Sequence, residues 1–130
     1  PLLYALYEQH AEALLEIYRK QSNVSSQAKM IIMARLRDHQ LSLPLVAQAL
    51  FMSPRTLQRK LEREGTSFQR LLAEVREELA KDYLIRLGIT VTQTSMLLGL
   101  SQPSAFVRSF NRWTGMSPRE FQRRNRSIES

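Results

Sequence analysis

Three features of the sequence predict an all-α fold. Apolar residues recur at helical spacing along most of the chain, one segment returns 49 positions later, and polar caps followed by proline or closed by glycine mark helix ends. The 130 residues accommodate one all-helical core, or two very small subdomains sharing a connection, and leave no room for a large catalytic domain. The expected architecture is two helix-turn-helix subdomains joined by a long linker helix, with an extra N-terminal helix.

That first helix is expected over residues 2–20, where Leu3, Leu6, Tyr7, His10, Leu14, Ile17 and Tyr18 share a face opposite Glu8, Glu12 and Glu16. An isolated helix of this length is marginal in water, so it needs a surface to pack on. The plain reading is packing within its own chain or on a neighbouring domain; a dimerisation helix is the alternative. His10, on or beside the apolar stripe, reads as a structural histidine. The opening Pro1 and this helix lead us to expect the C-terminal part of a longer protein.

The polar run Gln21 to Ser26 reads as a hinge without apolar period. A helix from about Gln27 to Asp38 follows, with Met30, Ile31, Met33, Ala34 and Leu36 as its core stripe and Arg35 and Arg37 outside. In residues 43–65, Leu43, Val46, Ala47 and Leu50 form a short helix and Phe51-Met52 a turn. Ser53 is an N-cap with Pro54 behind it, and a second helix follows with Leu57 and Leu61 buried and Gly65 closing it. Thr66-Ser67 can cap a linker helix over residues 68–87, about 30 Å long, ended by Gly88.

Thr90 and Gln93 form a capping box for a short helix in which Val91, Ser95 and Leu98 face inward. Pro103 then opens a second amphipathic helix whose core stripe is Phe106, Phe110 and Trp113. Gly115 suits its left-handed end, and Ser117 to Glu120 reads as another capping box. The 49-residue offset pairs Pro54 with Pro103, Leu57 with Phe106, Arg59 with Arg108 and Leu61 with Phe110. One motif is therefore present twice, with a weaker cap at Gln102 and a turn one residue longer in the second copy. The expected divisions are 1–23, 24–65 for the first subdomain, 66–88 for the linker helix and 89–130 for the second.

Nineteen Lys and Arg against twelve Asp and Glu give a net charge of +7, which favours a polyanionic partner or an anionic membrane surface. The excess lies in two blocks, +4 in residues 24–65 and +4 in 91–130, while the linker is neutral. No apolar run approaches the roughly 20 residues of a membrane span, and no secretory signal pattern is present. A soluble chain without a membrane partner is expected. The absence of cysteine excludes disulfides and thiolate metal sites and fits a reducing cytoplasm.

In a helix-turn-helix the second helix enters the major groove, where arginine bonds guanine O6 and N7 and glutamine bonds adenine N6 and N7. Arg55, Gln58, Arg59 and Arg108 have that chemistry on the outward face. Ser104 and Val107 are further candidates for a base edge or a thymine methyl. Ser53, Thr56, Lys60, Arg63, Gln102, Arg112 and Ser117 are better placed for phosphates, which set register without reading sequence. Arg123, Arg124 and Arg126 form a basic tail. The plain alternative for every one of these cations is a solvated surface.

The chain resembles the DNA-binding region of AraC/XylS-family transcription regulators. The resemblance rests on VAQALFMSPRTLQRKLEREG and LLGLSQPSAFVRSFNRWTGMSPREFQRR and covers about residues 25–126. It implies two reading helices in successive major-groove segments of promoter DNA, about one helical turn apart on one face of the duplex. It places the base-reading positions on Arg55, Gln58 and Arg59 and on Ser104, Val107 and Arg108. It also implies a bacterial, cytoplasmic, nucleoid-associated regulator, an activator working with RNA polymerase. Residues 1–23 then match the tail of an N-terminal regulatory or dimerisation domain, through which a homodimer would form. Leu100, where the family commonly has an aromatic, and Ser95, where it has alanine, depart from the pattern in packing positions. No cofactor, metal or catalytic residue is expected, since His10 and His39 lie far apart in sequence with no HExxH motif and no glycine-rich phosphate loop. A nonspecific nucleoid or RNA-binding protein is the competing reading, because positive charge attracts any polyanion.

Overall fold

The computed structural model describes residues 23–129, with side chains as far as 125. The helix expected over 2–20 lies outside them. Within them the chain forms seven α-helices and no strand: α1 (Val24–Ala34), α2 (Leu43–Ala49), α3 (Pro54–Arg63), α4 (Phe68–Asp82), α5 (Val91–Leu97), α6 (Pro103–Thr114) and α7 (Pro118–Glu129). The all-α expectation and the pair of helix-turn-helix units, α2–α3 and α5–α6, hold.

The local signals explain most helix ends. Ser42, Ser53 and Ser67 accept backbone N–H bonds from Leu45, Thr56 and Arg70, at 3.2–3.3 Å. Thr90 and Gln93 close a reciprocal capping box, 3.1 and 3.0 Å. Gln102 makes no side-chain capping bond, so α6 starts on its proline alone.

Four expectations need correction. In the first helix Met30, Met33 and Ala34 are exposed, Ile31 is half-buried, and the buried stripe is Ala28 and Ile32, with Leu36 following just past the helix end. The first helix begins at Val24 and ends at Ala34 instead of running from 27 to 38, because Asn23 caps it through the Ser26 N–H at 2.8 Å. The serines that resemble a hinge are thus its first turn. Beyond Arg35 the chain turns, with Asp38 accepting bonds from Arg35 at 3.0 Å and from the Gln40 N–H at 2.9 Å. The linker is α-helical only to Asp82 and widens into a π-helical turn at Tyr83–Leu87 before Gly88 ends it at φ 60°. The amide nitrogen of Gln122, on α7, donates to the Leu84 and Ile89 carbonyls at 2.9 and 3.2 Å and so satisfies acceptors that the widened turn frees. Finally, Ser117 caps Glu120, but the Glu120 carboxylate pairs with Arg123 and Arg124 at 3.2 and 3.1 Å.

Ile32, Val46, Ala47, Leu57, Leu61 and Val75 are buried in the first half, and Leu84, Leu98, Phe106 and Phe110 in the second. Lys29 fastens α1 to α4 through Glu78 at 2.9 Å and Glu74 at 3.9 Å. In the second half the Phe110 ring meets Phe106, Trp113 and Phe121 edge-on at centroid distances of 5.7, 6.3 and 5.2 Å. Thr94 is buried beside Ser95 with its hydroxyl bonded to the Thr90 carbonyl at 2.9 Å, an inward position that apolar spacing does not reveal.

Candidate nucleic-acid interface

The repeat is closer in three dimensions than in sequence. Before the turn the copies align at an offset of 48: Val46 and Ala47 are buried as Thr94 and Ser95 are, and the Met52 and Leu100 N–H groups both bond a helix carbonyl five residues back at 3.0 Å. After the turn the offset is 49, with Leu57 and Leu61 against Phe106 and Phe110. The difference is the extra residue expected in the second turn. Each unit therefore holds its second helix by the same device, a buried stripe on one side and a bonded turn at its start.

That device presents the opposite side. Arg55, Gln58 and Arg59 are exposed at i, i+3 and i+4 of α3, and Ser104 and Arg108 occupy the matching positions of α6, also exposed. Val107 stands between them, but half-buried rather than directed wholly outward. Lys60 and Arg63 are exposed in the last turn of α3, and Arg112 in that of α6, where it donates to the Ser109 hydroxyl at 3.2 Å. At the helix starts, Ser53 and Thr56 are exposed and joined through their hydroxyls at 2.9 Å, and Gln102 is exposed. Ser117 is half-buried, and Glu120 brings a negative charge into the first turn of α7.

Ion pairing occupies several cations away from these faces, while Arg37, Arg70, Arg76 and Arg119 have no carboxylate within 4 Å among the described residues. Lys29, Arg35, Lys81, Arg86, Arg123 and Arg124 each lie within 4 Å of a carboxylate. Arg55, Arg59, Lys60, Arg63, Arg108 and Arg112 have no acidic partner among the described residues. Their charge is left for an outside anion, and the outward faces of α3 and α6 are where it accumulates. No group of three or more His, Asp or Glu able to hold a metal occurs among the described residues.

Phe51 is a feature that sequence reasoning passes over. Two residues before the Ser53 cap, its backbone is left-handed at φ 59° and the residue is 89% exposed. Gly99 occupies the same place in the second copy at φ 76°. The signal is available in the repeat, at the offset of 48 rather than 49.

Comparison with known proteins agrees with this geometry. Residues 46–124 match the family model described as a helix-turn-helix domain. A transcriptional regulator of the helix-turn-helix type from Mycobacterium tuberculosis is 49% identical over 79 residues, 61% of this chain and 23% of that protein. The urease operon transcriptional activator of Escherichia coli is 32% identical over 126 residues, 96% of this chain and 42% of that protein. Among solved structures, a DNA-binding transcriptional dual regulator from Escherichia coli superposes with a TM-score of 0.78 at 30% identity, covering 82% of this chain and 96% of the other. The chain spans less than half the length of the curated relatives it matches. With its paired helix-turn-helix units and these relatives, the chain belongs to the AraC/XylS family of transcription regulators and carries that family's DNA-binding region.

Proposed function

We propose that the chain binds double-stranded promoter DNA sequence-specifically, with α3 and α6 in successive major-groove segments about one helical turn apart. The observation that carries this reading is the outward face that occurs twice, in register with two buried stripes and with its cations unpaired. Arg55, Gln58 and Arg59 read one block of bases; Ser104, Val107 and Arg108 read the other. Val107, half-buried, supplies an apolar surface suited to a thymine methyl. Ser53, Thr56, Lys60, Arg63, Gln102, Arg112 and Ser117 contact phosphates, Ser117 least favourably because Glu120 is close. The four divisions at residues 23, 65 and 88 follow from the same plan, and no catalytic role is assigned.

Transcriptional activation with RNA polymerase as protein partner, in the cytoplasm on the nucleoid, completes the reading. The related urease operon activator supports the direction of control. A homodimer would form through residues outside this chain. No helix among the described residues is long and apolar enough to cross a membrane.

Alanine substitution tests the division of labour. Arg59 and Arg108 are exposed and their side chains hold no bond among the described residues, so removing them should leave the fold intact. Arg59→Ala and Arg108→Ala should each cost about 1–3 kcal/mol on duplexes carrying their matched block and little on unrelated DNA. Lys60→Ala should weaken all sequences alike and lower the slope of log K against log salt by about one. Equal losses on specific and random duplexes for all three variants would leave a nonspecific polyanion binder.

A further inference from the structure

Two reading helices recognise a spaced site only if something holds their separation, and the linker helix is not the only connection between them. The turn that precedes α6 lies directly on the turn that follows α1. A Cβ at Gly99 would overlap the Leu36 carbonyl oxygen and crowd the Leu36 carbonyl carbon, while the Arg37 Cα would be in ordinary contact, so the approach exists only because residue 99 is glycine. Leu36 and Leu98, at the two sides of this junction, are both buried. Next to them Arg76, from the middle of α4, donates its Nε–H to the Leu98 carbonyl at 3.2 Å. Burial pushes the Arg76 guanidinium below its usual pKa, and no carboxylate among the described residues lies within ion-pair distance of it.

The junction is mechanically continuous with both readers. Toward α6, the Gly99 turn is tied by the Ser95 hydroxyl to the Leu100 carbonyl at 3.0 Å and by the Leu100 N–H to the Ser95 carbonyl at 3.0 Å, three residues before Pro103. Toward α3, the Leu36 turn ends α1, which Lys29 clamps to α4 and whose Ile32 packs in the core with Leu57 and Leu61 of α3. A movement of one reader relative to the other must open this contact.

We infer that Gly99 and Arg76 are positioning residues that hold α3 and α6 at one separation and phase, so that the chain discriminates between spacer lengths in its DNA site. This rests on the two-reader proposal above. Inserting one base pair rotates the second block by about 34° and moves it about 3.4 Å, against a protein that cannot follow.

The test uses the 130-residue chain and synthetic duplexes carrying the two blocks it enriches from random DNA, at the selected spacing, with one or two base pairs added or removed, and with one block scrambled. The wild type should lose about tenfold or more on a one-base-pair insertion, because simultaneous engagement fails. Arg76→Met keeps the apolar stem and removes the donor. It should bind less tightly at the selected spacing, cut the insertion penalty to about threefold or less, and leave the one-block affinity within about twofold. Gly99→Ala should act the same way. Gly115→Ala, with a similar φ of 78° but open space around it, supplies the backbone strain without the junction and should keep the wild-type spacing profile. Should Gly99→Ala fail to fold, Arg76→Met alone decides.

A folded Arg76→Met variant with an unchanged spacing profile overturns the inference. So does an equal loss on every duplex including the one-block site, which would mark a role in stability only. If the wild type itself ignores the second block, the two-reader proposal fails first and this inference with it, a result visible without any variant.

Discussion

Phe110 is the residue on which the second reading helix depends most, and its replacement gives a loss that can be worked out. The ring is fully buried and has edge-on contacts with Phe106, Trp113 and Phe121 at 5.7, 6.3 and 5.2 Å. A buried phenylalanine removes about 150 Å² or more from water, about 4 kcal/mol at about 25 cal/mol/Å², of which an alanine methyl retains about 0.8 kcal/mol. The cavity left behind adds to the remaining 3 or so, and Phe110→Ala should cost about 3–5 kcal/mol. Phe110→Leu keeps most of the volume but loses the three ring contacts, and should cost about 1.5–3 kcal/mol. Against a total stability of about 5–15 kcal/mol the alanine variant would be close to unfolding at physiological temperature.

Trp113 is the sole tryptophan of the sequence and lies against Phe110, so its emission during urea unfolding reports on this cluster. Far-UV circular dichroism follows the helices as a whole. A cost below about 1 kcal/mol for Phe110→Ala, or a Trp113 transition unmoved by it, would refute the claim that this stack holds α6 against α7.

Three further outcomes are expected from urea and thermal unfolding. Phe51→Gly should stabilise the chain by about 1 kcal/mol, because it relieves a left-handed backbone and removes little buried surface from an 89% exposed residue; destabilisation would show that the ring packs on something. Gln122→Leu should cost about 1–3 kcal/mol by leaving the Leu84 and Ile89 carbonyls without their shared donor, and an unchanged urea midpoint would mean that water replaces the amide. Asp38 has its pKa held below 3.8, chiefly by the bond from the Gln40 N–H and, less strongly, by the bond and charge of Arg35. A depressed folded value contributes stability that is present above pH 3.8 and lost as pH falls through the lower folded value. The difference in melting temperature between wild type and Asp38→Asn should therefore shrink below about pH 4, and a difference that stays constant down to pH 2 would contradict this.

What the sequence makes legible here is what depends on near neighbours. The stripes Leu57–Leu61 and Phe106–Phe110, the caps at Ser53, Ser67 and Thr90 and the left-handed ends at Gly65, Gly88 and Gly115 all follow from residues within a turn of each other. The outward positions of α3 and α6 then follow by subtraction. The start of α1 is ambiguous locally because Ser25 and Ser26 suit a loop as well as a first turn, and the Ser26 N–H bond to Asn23 decides. The π turn at Tyr83 depends on Gln122, some forty residues away, which no local pattern encodes. Gly99 looks like an ordinary helix end, and only the packing of Leu36 against it shows that a side chain is forbidden there.

Selection of binding sites from a random DNA library at about 150 mM salt, where nonspecific electrostatic affinity is weakened, tests the central claim most directly. Two readers on one face predict an enriched site with two blocks of fixed sequence, centred about one helical turn apart. Enrichment of a single block would reduce α6 to a clamp on the backbone, and a library that emerges without any preferred sequence would contradict the account.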